Sequence, residues 1–369
     1  MLRLVARKCK RCSKWRRAFE TISGGCSKPM SRAGVRDMPK RVFELRGEPL
    51  LEIASYGRRG PASNIRLTPA ETERIRRTVA RAPEVMVKVS GGAKTLRGAL
   101  AHLRYIDRQG RLEIETDQGE TLKGEGTERQ LLGDWDLDVL DAEARSPYRG
   151  VPGRRPAKIL HNVVLSMPSG TSPQKLLAAS RAFAREQFAL KHRYAMVLHT
   201  DQDHPHVHLV IKAMSEDGRR LNIRKATLRE WRREFARQLR AEGVAANATE
   251  RAVRGEIRKS LRDGIYRAAR RSESRHVQQH VERVLKQLKS GGLESESAKA
   301  KLVATREAVV RGWHAVADSL AMSGQGPLAE KIWTFIGSMP RPATDYERIA
   351  SELLRERGRS QERRLERTR

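Results

Sequence analysis

The sequence predicts an α/β fold of the α+β kind, with a central antiparallel sheet and a mainly helical C-terminal region. Three observations support this prediction. Between residues 84 and 241, short strand patterns and longer amphipathic helix patterns follow one another. Residues 194–199 and 206–213 are apolar strands joined by a polar turn, which suits an antiparallel pair. From about residue 255 the composition becomes charged and helical.

Each predicted element has a local signal. Helices are predicted where apolar side chains recur every three or four residues, and strands where they alternate or form a short apolar run. Thr68-Pro69 and Ser172-Pro173 mark helix starts, because a capping hydroxyl before proline favours the first turn. In chain order the predictions are a helix over 70–80, a strand over 84–89, a helix over 96–106, strands over 112–115 and 161–167, a helix over 172–190, strands over 194–199 and 206–213, and helices over 227–241, 254–288, 297–322 and 327–336.

Three segments are predicted along the chain. Residues 1–80 form a basic N-terminal extension that is partly disordered, since residues 1–37 hold eleven basic side chains against two acidic ones. Residues 81–254 form the α/β domain, and residues 255–369 form a helical C-terminal region. Its Arg-rich tail, residues 355–369, is either a solvated helix end or a signal that a secretion machine reads.

The net charge of +31 is the strongest signal in the composition. So large a positive excess predicts a polyanionic partner, and nucleic acid is the expected one. No apolar run approaches the roughly 18 residues that a bilayer span needs, so membrane insertion is not expected. Three cysteines in 369 residues make no disulfide framework and suit a reducing cytoplasm.

Four of the ten histidines fall within ten residues, from His199 to His208. Side chains two apart in a strand share a face, so His206 and His208 point the same way. If the two strands pair as a hairpin, His199 joins them, whereas His204 stays in the turn. Three imidazoles around one point predict an open, catalytic metal site, although the ligands alone do not identify the ion. The other interpretation is a polar strand with solvated histidines.

A basic protein with a three-histidine metal site suggests phosphodiester chemistry, in which the ion offsets charge on a phosphate oxygen. Such a reaction also needs a nucleophile. Tyr105 is a candidate, because it lies near the end of an amphipathic helix and is flanked by Arg104, Arg108 and Arg111. Most tyrosines are packing residues, and the residues around Tyr105 leave that interpretation open.

Several segments together resemble the conjugative relaxases, which are mobilisation nucleases of the HUH endonuclease superfamily (MOBP class). Residues 199–208 resemble their three-histidine motif, and residues 103–112 resemble their tyrosine motif. The tyrosine precedes the histidines, as it does in relaxases. The resemblance extends over residues 81–254 and includes residues 161–168, 219–226 and 248–251.

The resemblance implies roles for the residues that match these motifs. Tyr105 matches the nucleophile that takes the 5′ phosphate at the nick. His199, His206 and His208 match the ligands of a divalent metal, for which Mg²⁺ or Mn²⁺ is expected. The resemblance also implies helices packed on the face of the sheet away from the histidines.

Four further residues complete the predicted site. Asp201 matches an acidic position that orients a ligand or assists the tyrosine proton. Ser166 matches the serine of a middle motif that helps to hold DNA near the nick, or it is an ordinary residue at a strand end. Arg104 and Arg108 are also expected to contact DNA.

The activity implied is site- and strand-specific nicking and rejoining of DNA at an origin of transfer, which initiates conjugative transfer. Tyr105 attacks one phosphodiester and leaves a free 3′-OH, and the tyrosyl ester keeps the energy needed for rejoining. The implied partners are single-stranded DNA at the origin, accessory relaxosome proteins and a type IV secretion coupling protein. The protein is expected in the donor cytoplasm and travels with the DNA to the recipient.

Two other functions stay open. A rolling-circle replication initiator would use the same histidines with a downstream tyrosine, for which Tyr266 is the candidate. A non-catalytic DNA-binding protein would need the charge but not three histidines on one face. Whether the covalent adduct forms at Tyr105 or at Tyr266 distinguishes a relaxase from a replication initiator. Metal-dependent nicking distinguishes both from a non-catalytic DNA-binding protein.

Overall fold

The computed structural model describes residues 52–58, 65–137, 157–256, 275–290 and 296–355. The strands in this part are β1 (Met86–Gly91), β2 (Ile114–Thr116), β3 (Thr121–Leu122), β4 (Leu160–Ser166), β5 (Tyr194–His199) and β6 (His206–Lys212). The helices are α1 (Ile53–Tyr56), α2 (Pro69–Val79), α3 (Leu96–Ile106), α4 (Thr127–Asp134), α5 (Pro173–Phe188), α6 (Lys225–Ala241), α7 (Arg275–Ser290), α8 (Glu296–Met322) and α9 (Gly326–Gly337), and residues 345–355 are also helical. None of these helices is long and apolar enough to cross a membrane.

The described strands form one sheet in the order β1-β4-β6-β5-β2-β3, and every neighbouring pair is antiparallel. β6 therefore lies inside the sheet, between β4 and β5. The predicted hairpin is formed by β5 and β6, with His199 opposite His206 and Val197 opposite His208. The predicted fold class, an antiparallel sheet with helices and a helical C-terminal region, is confirmed.

One face of the sheet packs against α5 and α6. The β6 side chains Val207, Leu209 and Ile211 point to this face and are buried with Phe183 and Trp231 of the two helices. The aromatic rings of Phe183 and Trp231 meet edge to face, with their centroids 6.3 Å apart. These are the helices expected on the face away from the histidines.

The face that carries the histidines is also partly covered by helices. Val197 of β5 and Val210 of β6 pack here with Leu103 and Ile106 of α3 and with Trp135 at the end of α4. The apolar stripe of α3 needs a partner, and it finds one on the sheet directly beside the histidines. The resemblance implied helices on the opposite face, and the structure adds this second helical layer.

A third core joins two distant parts of the chain. Ile53 of α1 and Ile75 of α2 pack with Trp313 of α8 and Ile332 of α9. Helices α1 and α8 approach closely at Gly312, where a Cβ would lie 1.9 Å from the carbonyl oxygen of Ile53. The segment boundary predicted after residue 80 places α1 and α2 in a different segment from α8 and α9, with which they share this core.

Several elements differ from the predictions, which contain no α1, no β3 and no helix over residues 345–355. The helix predicted to start at residue 254 does not, because residues 251–256 form turns and Gly255 has a left-handed φ of +75°. The sequence patterns also do not predict α4. Its apolar residues Leu131 and Leu132 are adjacent, so eight residues give no repeat of helical period.

Some predictions concern residues outside the described ranges. These are the basic arm over residues 1–37, Tyr266, and the tail beyond residue 355.

Candidate functional site

Three histidines meet where the β5–β6 hairpin closes. His199 ends β5 and His206 begins β6 directly opposite, while His208 lies two residues further along β6 on the same face. One nitrogen from each imidazole lies within 4.8 Å of the others. The ring centroid of His199 lies 4.5 Å from that of His208 and 5.1 Å from that of His206. The structure thus brings together the three ligands expected from the sequence.

Burial favours the neutral form of two of these three imidazoles. Burial, followed by the neighbouring imidazoles, lowers the pKa of His208 to about 3. Burial also lowers the pKa of His199. A neutral imidazole has a free lone pair, so these rings are available to a cation at neutral pH.

Backbone carbonyls orient two of the three rings. The Nε2 of His199 lies 2.6 Å from the carbonyl oxygen of Ile106, and the Nδ1 of His206 lies 3.1 Å from that of His204. Each carbonyl fixes one ring nitrogen as the donor and leaves the other as an acceptor. The Nδ1 of His208 is buried and has no hydrogen-bond partner among the described residues. Three imidazole nitrogens at this separation fit a divalent metal with open coordination positions.

Tyr105 lies beside this cluster. Leu103 and Ile106 anchor α3 in the core, which leaves Tyr105 on the outer side of the helix, with about half of its surface exposed. Its ring meets that of His208 nearly perpendicularly, at 6.4 Å between centroids. An exposed phenol next to neutral imidazoles can reach a bound phosphodiester.

Arg108 links the helix of Tyr105 to the histidine loop. Its guanidinium forms an ion pair with Asp201 and also donates toward the Nδ1 of His199, at 3.3 Å. The guanidinium carbon lies 5.2 Å from the centre of the Tyr105 ring. Burial raises the pKa of Asp201, but the hydrogen bond and charge of Arg108 outweigh it, so this pKa stays below its usual value. Arg108, which the sequence predicts to contact DNA, thus also connects Asp201 with Tyr105 inside the site.

The other two residues expected to contact DNA are held by protein groups. Arg104 forms an ion pair of 2.7 Å with Glu128, although half of its side chain remains exposed. Ser166 ends β4 opposite His206, and its buried hydroxyl donates to the carbonyl oxygen of Pro205 at 3.3 Å. Ser166 therefore holds the loop that leads into His206, whereas Arg104 keeps an outward-facing charge.

His102 is a member of the site that the sequence patterns did not reveal. Its ring lies 6.4 Å from both the Tyr105 and the His208 rings, measured between centroids. Burial lowers its pKa to about 4, and its Nε2 has no hydrogen-bond partner in the described part of the chain. The available signal was the spacing, because residues three apart on a helix share a face.

Two other tyrosines in the described ranges belong to the packed cores. Tyr56 is buried in the helical core and donates to Glu71, and Tyr194, the first residue of β5, is buried in the core that the sheet shares with α5 and α6. Tyr266 lies outside the described residues.

Comparisons with known proteins find similarity to a relaxase nuclease domain and to border endonucleases. Residues 142–244, which contain the three histidines, match the family model described as "Relaxase: MobA/VirD2-like, nuclease domain". The chain is 28% identical over 137 residues to a T-DNA border endonuclease VirD2 of Agrobacterium fabrum, and 27% identical over 137 residues to that of Rhizobium rhizogenes. Each alignment covers 35% of this chain and 30% of the relative, so the chain spans under a third of these relatives' length.

Proposed function

Residues 142–244 belong to a nuclease domain of the MobA/VirD2-like relaxase type, and from this premise we propose that the protein nicks and rejoins one strand of DNA by tyrosine transesterification. The proposed place of the nick is an origin of transfer, where it initiates conjugative DNA transfer. The observation that carries the proposal is the contact between Tyr105 and His208, 6.4 Å between ring centroids, on the face shared by the three histidines.

The proposed reaction exchanges one phosphate ester for another. The Oη of Tyr105 attacks the phosphorus, the bond from phosphorus to the 3′ oxygen breaks, and a proton passes from the phenol through solvent to the departing 3′ oxygen, so that a free 3′-OH and a 5′ phosphotyrosine result. No bond energy is lost to water, so attack by a 3′-OH on the phosphotyrosine reverses the step and reseals DNA.

The three histidines would hold a divalent metal, with Mg²⁺ or Mn²⁺ as our expectation. When bound, such an ion supplies positive charge to a non-bridging phosphate oxygen. The chain's own contribution is geometric. Asp201 and Arg108 tie the histidine loop to α3, and this connection fixes Tyr105 relative to the metal ligands.

The proposed partners follow from the same activity. A charge of +31 suits the phosphate backbone of a single strand at the origin. We propose accessory relaxosome proteins and a type IV secretion coupling protein as further partners. The protein would act in the cytoplasm of the donor and accompany the transferred strand.

Loss of the covalent adduct in Tyr105→Phe is the direct test. This change removes only the attacking oxygen and keeps the ring, so folding, metal affinity and DNA binding are expected to survive. Wild-type protein, incubated with Mn²⁺ or Mg²⁺ and a single-stranded oligonucleotide of the origin, should form an adduct that survives denaturing electrophoresis. Tyr105→Phe should form none, whereas the matched control Tyr266→Phe should react as wild type does.

Two results would contradict the proposal. An adduct that persists in Tyr105→Phe and disappears in Tyr266→Phe would assign the protein to the replication initiators. If wild-type protein forms no adduct with either metal on any origin strand, the non-catalytic DNA-binding function remains.

A further inference from the structure

A cavity lined mainly by arginines lies apart from the histidine site. Its lining includes Arg74 of α2, Arg229, Arg232 and Arg233 of α6, and Thr249 and Glu250 of the segment after α6. None of these residues belongs to the candidate nuclease site. The cavity encloses about 60 Å³, several times the space that a single water molecule needs.

Helix α6 directs its arginines to this cavity by its periodicity. Positions 229, 232 and 233 are three and four residues apart and share one side of the helix. Trp231 and Phe235 occupy the other side and anchor the helix in the core beneath the sheet. Because that core lies on the face away from the histidines, the sheet separates the cavity from the nuclease site.

Arginines outnumber acidic side chains in the lining of the cavity. Glu250 is the acidic side chain in its lining, and it forms an ion pair of 2.9 Å with Arg229. Arg232 forms no ion pair or hydrogen bond within the described part of the chain. Burial, and then the proximity of Arg251 and Arg229, lowers the pKa of Arg232. Like charges at this spacing repel one another unless an anion lies between them.

The opposite wall of the cavity is rigid and polar. Thr249 receives a hydrogen bond of 2.7 Å from the side chain of Asn247, and its hydroxyl lies 3.2 Å from that of Thr78 on α2. The backbone N–H of Thr249 donates to Glu84. This network fixes the segment that follows α6 against α2, so the arginines face a preformed wall.

We propose that this cavity binds a backbone phosphate of the DNA strand, away from the nick. The inference rests on the proposed function, because it assumes that the same strand reaches the nuclease site. Several arginines line this cavity, and guanidinium groups match the tetrahedral oxygens of a phosphate. Since the sheet lies between the two sites, only a strand long enough to pass around the sheet contacts both.

The test measures how binding of single-stranded oligonucleotides depends on salt. Oligonucleotides of increasing length share the nick site, and their affinity is measured by fluorescence anisotropy at several salt concentrations. Arg232→Gln should leave the shortest oligonucleotides unaffected. With the longest ones, it should reduce the log–log salt slope by about 0.7, the value for one lost phosphate contact on a single strand. Glu250→Gln removes the acidic lining group and should increase affinity for the longest ones.

The matched control is Arg185→Gln, which removes an equal charge from an exposed position on α5. It should leave the slope unchanged at every length. Equal slopes for wild type and Arg232→Gln on the longest strand would overturn the inference, as would an equal loss in Arg185→Gln. A loss already present on the shortest strand would place Arg232 at the nick instead and overturn it too.

A measurement with inorganic phosphate distinguishes binding of a DNA phosphate in the cavity from binding of a free anion. If phosphate raises the melting temperature of wild type but not of Arg232→Gln while the DNA slopes are equal, the cavity takes free phosphate and the inference is wrong. Adduct formation on the shortest strand is measured in parallel. A missing adduct in wild type refutes the proposed function, whereas an intact adduct with equal slopes refutes only the phosphate site.

Discussion

At the scale of single residues, Arg108 holds the two halves of the candidate site together. Its φ of +55° is left-handed, and Gln109 and Gly110 also have positive φ values, so the chain turns sharply after α3. This turn returns the guanidinium to Tyr105 and Asp201. Strain of this kind persists only where surrounding contacts hold it, and here the ion pair with Asp201 is such a contact.

The role of the histidines as ligands is tested by a pair of variants in one loop. His206→Ala removes one of three ligands, so we expect Mn²⁺ affinity to fall by more than about 100-fold, beyond the loss typical for residues that only orient a ligand. Metal-dependent nicking should disappear. Non-specific DNA binding should remain, because every Lys and Arg side chain is kept. Titration calorimetry and nicking of a supercoiled substrate measure these effects.

His204→Ala is the matched control. His204 lies two residues earlier and accepts a hydrogen bond from the backbone of Ser169 instead of facing the other imidazoles. The His204→Ala variant should bind Mn²⁺ as wild type does. Unchanged Mn²⁺ affinity in His206→Ala would refute the metal site at these residues.

At the scale of secondary-structure elements, β4 carries a half-buried histidine that takes no part in the site. Burial lowers the pKa of His161 to about 4, and the charges of Lys158, His192 and Arg220 add to this. Its Nδ1 has no hydrogen-bond partner among the described residues. The folded protein therefore favours the neutral ring, whereas in the unfolded chain the ring takes up a proton near pH 6.5.

This difference predicts a pH dependence of stability. Between pH 6.5 and about 4 the unfolded state binds the extra proton, so the contribution of His161 is fully present above pH 6.5 and is lost as the pH falls. His161→Gln cannot titrate, so its free energy of unfolding should decrease less over this range. Urea unfolding at several pH values, with chelator present, measures the difference. Parallel curves for the two proteins would contradict the prediction.

At the scale of the whole molecule, one helical core unites residues from both sides of the nuclease domain. Trp313 of α8 donates its indole N–H to the carbonyl of Val253, and Ser319 donates to the carbonyl of Ile65. Such contacts join chain segments that are 60 and 254 residues apart. The helices α1, α2, α8 and α9 therefore depend on one another for burial of their apolar sides.

This dependence is tested at the closest approach in the core. Gly312→Ala places a Cβ 1.9 Å from the carbonyl oxygen of Ile53, so α1 and α8 must separate. We expect a loss of about 1–3 kcal/mol in the free energy of unfolding, as is typical of an overpacked core. Thermal and denaturant unfolding measure it. Gly337→Ala on α9 meets nothing within 4 Å and should not destabilise the protein. Equal stability of both variants would show that the close approach is not needed.

Some residues of the candidate site are predicted by the sequence pattern, and others are identified only by their contacts in the folded structure. The alternation of His206 and His208 and the hairpin with His199 follow from the period of a strand, so the sequence predicts the cluster. Tyr105 was one candidate among several, and the resemblance to relaxases singled it out. The contact of His102 with His208 and the ion pair of Arg108 with Asp201 link positions about 100 residues apart, and no local pattern reports such contacts.

The sequence by itself determined the charge, the antiparallel hairpin, most helix positions and the histidine cluster, because each depends on composition or on the periodicity of neighbouring residues. Only the tertiary structure decided that α3 covers the histidine face, that α1 and α2 pack with α8 and α9, and that the arginines of α6 meet Arg74 in a cavity. The physical reason is that apolar faces and charges act on whatever segment packs against them, and the identity of that segment depends on the whole chain.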